Sequence, residues 1–213
     1  MLSDTWPGPF ASCAPLAYLL LIMTTPEITA ARIHAALAGR TRRILPLGGL
    51  KHAGVLVPLL LSGPLPELLF TKRTEIVETH KGQVSFPGGV AEPADRDIVE
   101  TSLREAMEEI GIHQKDISVL GLLDDLATPT GFVITPVVGS IQPSAPLAPN
   151  PDEVAQVFQV PIQYFTEPSH ARREMRIVRG AEHEVWHYEA EGHTIWGVTA
   201  SIVRSLLEAL QIT

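Results

Sequence analysis

The chain has 213 residues, 45% of them apolar, and a formal net charge of −8. That length suffices for one domain with a sizeable core, and the acidic balance excludes a general nucleic-acid binder, which needs a basic excess to displace counterions. Cys13 is the only cysteine, so a disulfide framework or a cysteine-rich zinc site within one chain is excluded as well, in keeping with a reducing cytoplasm.

In chain order, Phe10 to Met23 is nearly all apolar but short for a membrane span. No Lys or Arg precedes it and Asp4 makes the leading region acidic, which is poor for a secretory signal. No membrane partner is expected. Met23 is followed by Thr24-Thr25-Pro26-Glu27, a good helix opening. Residues 1–22 therefore read as an extension, either a docking segment or a stretch ahead of a natural start at Met23, and residues 23–213 as one domain. Glu27 to Leu37 is a predicted helix with Ile28, Ala31, Ile33 and Leu37 available for packing. Ala53 to Leu61 is a continuous apolar run and a predicted buried strand. A turn at Gly63-Pro64 and Pro66 leads to a partner strand over Glu67 to Lys72. Asp97 to Ile110 is a predicted helix: Asp97 with Glu100 resembles a capping box, Gly111 stands where a terminating glycine belongs, and Val99, Leu103, Ala106 and Ile110 form an apolar stripe. Ile117 to Leu123 and Phe132 to Ile141 read as strands, and Pro143 to Pro151 as a proline-rich loop. Glu184 to Glu189 and His193 to Trp196 form a predicted hairpin around Glu191-Gly192. Val198 to Leu210 closes the chain as a helix. Strands flanked by helices predict an α/β sandwich. Three basic patches stand out: Arg40-Thr41-Arg42-Arg43, Lys72-Arg73, and Arg172-Arg173 with Arg176 and Arg179.

The chemistry concentrates in one helix. Glu105, Glu108 and Glu109 stand at i, i+3 and i+4, which puts three like charges on one face. Such a face is either merely solvated or neutralised by a cation, and all-oxygen carboxylate ligation suits Mg²⁺ or Mn²⁺. Gly88-Gly89 upstream can adopt positive φ and bring backbone close to a ligand, so that a bent loop joins the glutamates at one metal site. Arg104 either orients one of these glutamates or makes a surface pair with Glu100 or Glu108.

The segment resembles the Nudix box of the Nudix hydrolases: a Gly, five residues, a Glu, seven residues, then Arg-Glu-U-x-Glu-Glu-x-Gly-U, with U aliphatic. Gly89 fits the first position and Arg104 to Ile112 the second half; Asp95 stands in for the upstream Glu, one residue farther from Arg104 than the pattern has it. Upstream, Thr71, Arg73, Gly82 and Phe86-Pro87-Gly88-Gly89 are similar to the motif L-L-T-x-R-S-x-x-x-R-x-x-x-G-x-x-x-F-P-G-G of coenzyme A pyrophosphatases, from which Phe70, Thr74 and Glu78 depart. Weaker similarity continues at Pro151-Asp152-Glu153-Val154. The resemblance implies a mixed sheet sandwiched between helices. It also implies Mg²⁺- or Mn²⁺-dependent cleavage of the pyrophosphate of coenzyme A or an acyl-CoA to 4′-phosphopantetheine and adenosine 3′,5′-bisphosphate. In that reading Arg104, Glu105, Glu108 and Glu109 are catalytic, with Glu109 or Glu105 as general base. Gly89, Glu105, Glu108, Glu109 and Glu153 hold metal. Lys72, Arg73, His80, Phe86, Gly88 and Gly89 bind a small nucleotide-derived substrate, with the enzyme acting alone or as a homodimer. For Glu153 the residues alone suggest an acid at a helix N-terminus. Other readings are a Nudix enzyme for ADP-ribose or NADH, a non-catalytic nucleotide-binding module, and a scaffold whose acidic helix is only a solvated face.

Overall fold

A computed structural model describes residues 28–63, 65–75, 81–144, 146–178 and 180–212. The expectations for residues 1–22, for a start at Met23, and for Glu78, His80 and Arg179 lie outside the described residues. Helix α1 spans Ala30–Ala38. It begins later than predicted because Thr29 caps it, its hydroxyl accepting the Arg32 N–H at 3.2 Å. The strands that follow are β1 (Lys51–Leu60), β2 (Glu67–Arg73), β3 (Val84–Ser85) and β4 (Gly88–Val90). After helix α2 (Ile98–Ile110) come β5 (Ile117–Leu122), β6 (Leu126–Ala127), β7 (Phe132–Ile141) and β8 (Val154–Pro161). The chain ends with β9 (Ala171–Val178), β10 (Ala181–Ala190), β11 (His193–Trp196) and helix α3 (Val198–Leu210).

Strands β1 to β8 form one mixed sheet, and β9, β10 and β11 a smaller antiparallel one. Strand β1 is the hub of the large sheet. One edge runs parallel to β7 from Lys51 to Leu59, and the other pairs antiparallel with β4 at Gly54↔Gly89 and with β2 at Leu59↔Leu68. A strand flanked on both edges and covered on both faces reads as an unbroken apolar run, which is why its sequence shows no alternation. The faces separate the packing. Leu56 and Leu69 meet Ala106 and Ile110 of α2. Val57, Leu59, Leu68 and Phe70 enter the main core with Ile33 and Leu37 of α1 and Val203, Leu206 and Leu207 of α3. Each such buried side chain contributes about 1.5–3 kcal/mol of hydrophobic stabilisation. The sandwich is therefore α2 on one face and α1 with α3 on the other.

Sequence pattern did not anticipate β3, β4, β6, β8 or β9. Glu153 is followed by a strand, not by a helix. Strand β9, Ala-Arg-Arg-Glu-Met-Arg-Ile-Val, is extended through its pairing with β10 from Tyr188↔Ala171 to Ala181↔Val178. The predicted hairpin forms, with Ala190 opposite His193 and Gly192 at φ 73°. Two of the basic patches are ion-paired within the fold. Arg40 and Arg42 meet Asp124 and Asp125, while Arg172 and Arg176 meet Glu174 and Arg173 meets Glu184. Among the described residues no helix is long and apolar enough to cross a membrane.

Candidate active site on the carboxylate helix

Helix α2 starts where Asp97 accepts the Glu100 N–H at 2.9 Å and stops at Gly111, whose φ of 73° favours glycine. The predicted capping box is only half formed: the Glu100 carboxylate turns to the Arg96 N–H at 2.6 Å. The buried stripe is Thr101, Ser102, Ala106, Glu109 and Ile110, and Val99 and Leu103 are only half-buried. The cause lies in the strands beneath. A Cβ on Gly54 would lie 2.6 Å from the Ile98 carbonyl oxygen. With no side chain there, the helix backbone settles directly on β1. Glu109, seven residues on from Ser102 and so on the same helix face, lies in the buried stripe instead of on an acidic face opposite it.

Gly88 and Gly89 are extended residues of β4 and do not have the positive φ that the sequence suggested. Their value is the absence of a Cβ. On Gly88 it would lie 2.6 Å from the Gly54 carbonyl oxygen and 2.7 Å from Val55 Cα; on Gly89 it would lie within 2.7 Å of the Glu105 Cδ and both carboxylate oxygens.

Arg104 gathers the acids of the box. Its Nη1 donates to Glu105 Oε1 at 2.9 Å and to Glu108 Oε2 at 3.0 Å, and its Nη2 to the Val90 carbonyl at 3.2 Å. Its Nε and Nη2 donate to the two oxygens of Asp95 at 3.1 and 3.2 Å. The Asp95 carboxylate also accepts the Glu92 N–H and the Thr101 hydroxyl. Donation by Arg104, then by Glu92, holds it at about 2. Arg104 thus makes the predicted pair with Glu108 but none with Glu100, which belongs to Arg96.

Glu109 is 3% exposed. Burial pushes its carboxyl up to about 8; Arg73 opposes that, Glu105 and Glu153 add to it, and the Gly88 N–H donates to it. Burial likewise raises Glu105, with Arg104 opposing and Glu108 and Glu153 adding. Arg73 Nη1 lies 3.9 Å from Glu109 Oε1, and the buried Arg73 Nε has no hydrogen-bond partner among the described residues. A register slip at Ala155 of β8 adjoins this pair: Lys72 opposes Gln156 and Arg73 opposes Val154. Bulges of this kind re-aim side chains beside sites. Lys72 is half-buried one residue upstream. Phe86, expected at the substrate by resemblance, is 3% exposed and stacks on Phe70 at 4.7 Å, so its ring packs in the core. Gly82 adopts φ 62°, and its N–H donates to the Thr74 carbonyl at 3.4 Å.

Among the described residues no group of three or more carboxylates or histidines converges closely enough to hold a metal ion. Arg104 holds Glu105 and Glu108, and Glu109 faces Arg73 and Gly88. The donor chemistry nevertheless fits a hard divalent cation. The candidate donors are all oxygen. Besides burial, which raises the Glu105 and Glu109 carboxyls most, the like charges around them add to the rise, Glu108 and Glu153 at Glu105 and Glu105 and Glu153 at Glu109. Sequence reasoning missed Asn150, whose backbone N–H donates to the Glu109 carbonyl at 2.8 Å; the Asn-Pro dipeptide there was its only signal.

The NUDIX domain family matches residues 50–191, which span β1 to the β10–β11 turn and include every acid just described. The chain belongs to the Nudix hydrolases. It is 41% identical over 162 residues to a protein of Photorhabdus laumondii described as "Uncharacterized Nudix hydrolase NudL", covering 76% of this chain and 86% of that one. A protein of the same description from Pectobacterium atrosepticum is 39% identical over 175 residues, 79% of this chain and 86% of that one. A solved Nudix hydrolase from Alicyclobacillus acidocaldarius superposes with a TM-score of 0.47 at 17% identity, over 75% of this chain and 91% of that one. As a Nudix hydrolase the chain acts on phosphorus-containing anhydrides of the nucleoside diphosphate type, small nucleotide-derived molecules. The family generally uses divalent ions such as Mg²⁺ or Mn²⁺.

Proposed function

We propose that this Nudix hydrolase cleaves the pyrophosphate of coenzyme A or an acyl-CoA, giving 4′-phosphopantetheine and adenosine 3′,5′-bisphosphate. The observation that carries the reading is the place of Arg73. The base that anchors the likeness to coenzyme A pyrophosphatases lies 3.9 Å from Glu109, with an unpartnered Nε, where a guanidinium can take a phosphate oxygen. Glu105, Glu108, Glu109, Glu153 and the Gly89 backbone would hold Mg²⁺ or Mn²⁺. When bound, the cation neutralises the diphosphate and lowers the pKa of attacking water. Arg104 fixes Glu105 and Glu108 relative to the Asp95 turn. Arg73, with Lys72 beside it, binds the diphosphate. Glu109 or Glu105 takes the proton of the water whose oxygen bonds to phosphorus as the bridging P–O bond breaks. Burial, which raises the proton affinity of both, supports that assignment.

The test is a substrate panel of coenzyme A, acetyl-CoA, ADP-ribose and NADH with Mg²⁺ or Mn²⁺. The highest kcat/KM is expected for coenzyme A or its acyl form. A higher value for ADP-ribose or NADH replaces the substrate and keeps the reaction. We further propose that residues 23–213 are the functional unit and that it works in the cytoplasm, as the single cysteine suggests.

A further inference from the structure

We infer that Asn150 is a positioning residue that holds the Glu153 carboxylate toward Glu105 and Glu109; this rests on the reading of Glu153 as a member of the active site. Every polar group of Asn150 has a partner. Its N–H donates to the Glu109 carbonyl at 2.8 Å, and its carbonyl accepts the Glu153 and Val154 N–H groups at 3.1 and 2.8 Å. Its Oδ1 accepts the Asp152 N–H at 3.1 Å, which fixes the amide orientation and leaves Nδ2 to donate to Glu153 Oε1 at 3.3 Å. Just past the end of β2, the Thr74 N–H donates to the Glu153 carbonyl and the Thr74 hydroxyl to the Asp152 carbonyl, both at 3.0 Å. Pro149 and Pro151 flank the residue and restrict its backbone.

The turn is therefore fastened to the last turn of α2 at one end and to Thr74, just past β2, at the other. Glu153 is half-buried, and the like charges of Glu105 and Glu109 push against it. Without the amide donor its side chain is free to swing toward water. The Nδ2 bond opposes that swing, and the backbone bond to Glu109 keeps the two carboxylates in one frame. Groups that orient metal ligands in this way typically change metal affinity 10–100-fold when removed.

The experiment is a double-mutant cycle with Mn²⁺ alone as probe, titrated by calorimetry without substrate, alongside steady-state kinetics and thermal melting. Asn150→Ala removes the donor. Asn150→Asp keeps the Asp152 bond and the backbone bonds but replaces Nδ2 with an oxygen that repels Glu153. Both are expected to weaken Mn²⁺ binding about tenfold and to lower kcat with little change in KM, while Asn150→Asp keeps the melting temperature. In a Glu153→Gln background neither is expected to weaken Mn²⁺ binding further. Full Mn²⁺ affinity in both Asn150 variants, or losses that simply add to that of Glu153→Gln, overturns the role of Asn150 alone. Wild-type affinity and turnover in Glu153→Gln removes Glu153 from the site and the inference with it.

Discussion

Replacing Gly89 by alanine separates the site from the fold. The new Cβ would lie within 2.7 Å of the Glu105 Cδ and both its oxygens. To reach an ordinary separation of about 3.5 Å, the carboxylate must retreat by roughly 1 Å. The backbone is extended at Gly89, so alanine brings no strain and narrows the unfolded ensemble, a gain of about 0.4–1 kcal/mol. Against this stands the weakened Glu105–Arg104 bond, worth about 1.5–3 kcal/mol for a charged pair and less here, since neither group is fully buried. Net destabilisation is about 1 kcal/mol or less, a fall of roughly 2–4 °C in Tm for a chain of this size. Turnover is another matter: misplacing a catalytic group by about 1 Å costs on the order of 10²-fold. Gly88→Ala is the control. Its Cβ meets Gly54 and Val55 backbone, which cannot retreat like a side-chain end, and overpacking of this kind costs about 1–3 kcal/mol or more. Thermal melts and kcat/KM on a nucleoside diphosphate derivative, measured on both variants, read the two effects apart. Full kcat/KM in Gly89→Ala, or a Gly88→Ala protein as stable as wild type, refutes the reasoning.

Other expectations follow from the same geometry. Turnover is expected to require Mg²⁺ or Mn²⁺, and Glu109→Gln to lower kcat about 10²-fold; full activity in EDTA contradicts this. In metal-free protein, folding keeps a proton on Glu109 up to about 8 that the unfolded chain releases near 4.5. Its contribution is therefore intact below about 4.5 and lost as pH rises to about 8. Melting curves in EDTA should show that decline, and Glu109→Gln should remove it. Asp95 has the opposite sign. Held at about 2, it contributes stability above its unfolded value near 4, lost as pH falls toward 2; an Asp95→Asn protein with an unchanged acid limb speaks against the Arg104 anchor. Arg73→Ala is expected to reduce kcat/KM equally for coenzyme A and its 3′-dephospho form, because Arg73 stands beside Glu109; a loss confined to coenzyme A places it at the 3′-phosphate instead. A chain starting at Met23 is expected to keep full turnover and solubility, which expression of that truncation checks.

Helix α2 was legible from its caps and period, since Asp97 and Gly111 act locally. So were β1, β7 and the β10–β11 hairpin, which announce themselves by apolar runs or a turn glycine. What escaped depends on partners distant in sequence. Strand β9 takes its conformation from β10. Glu109 is buried on the helix face that settles, through Ile98, Thr101 and Ser102, against Gly54 on another element. The packing of Phe86 on Phe70, which lies on β2, is likewise a contact between residues apart in sequence. The glutamate triad gave the acids but not their division, with Arg104 holding two and Arg73 facing the third.

The turn at 92–95 explains how the box tolerates its irregularity. The Asp95 N–H donates to the Glu92 carbonyl at 3.0 Å, and its carboxylate returns to the Glu92 N–H at 2.9 Å. From there it reaches Arg104 with both oxygens. The side chain is one methylene shorter than glutamate, and the chain between it and the arginine is one residue longer. The two changes offset each other, because what Arg104 meets is the position of a carboxylate and not the name of the residue bearing it. Kinship at this position is a matter of measure rather than spelling: Asp95→Glu, which restores the family's letter, would push the carboxylate past its donors.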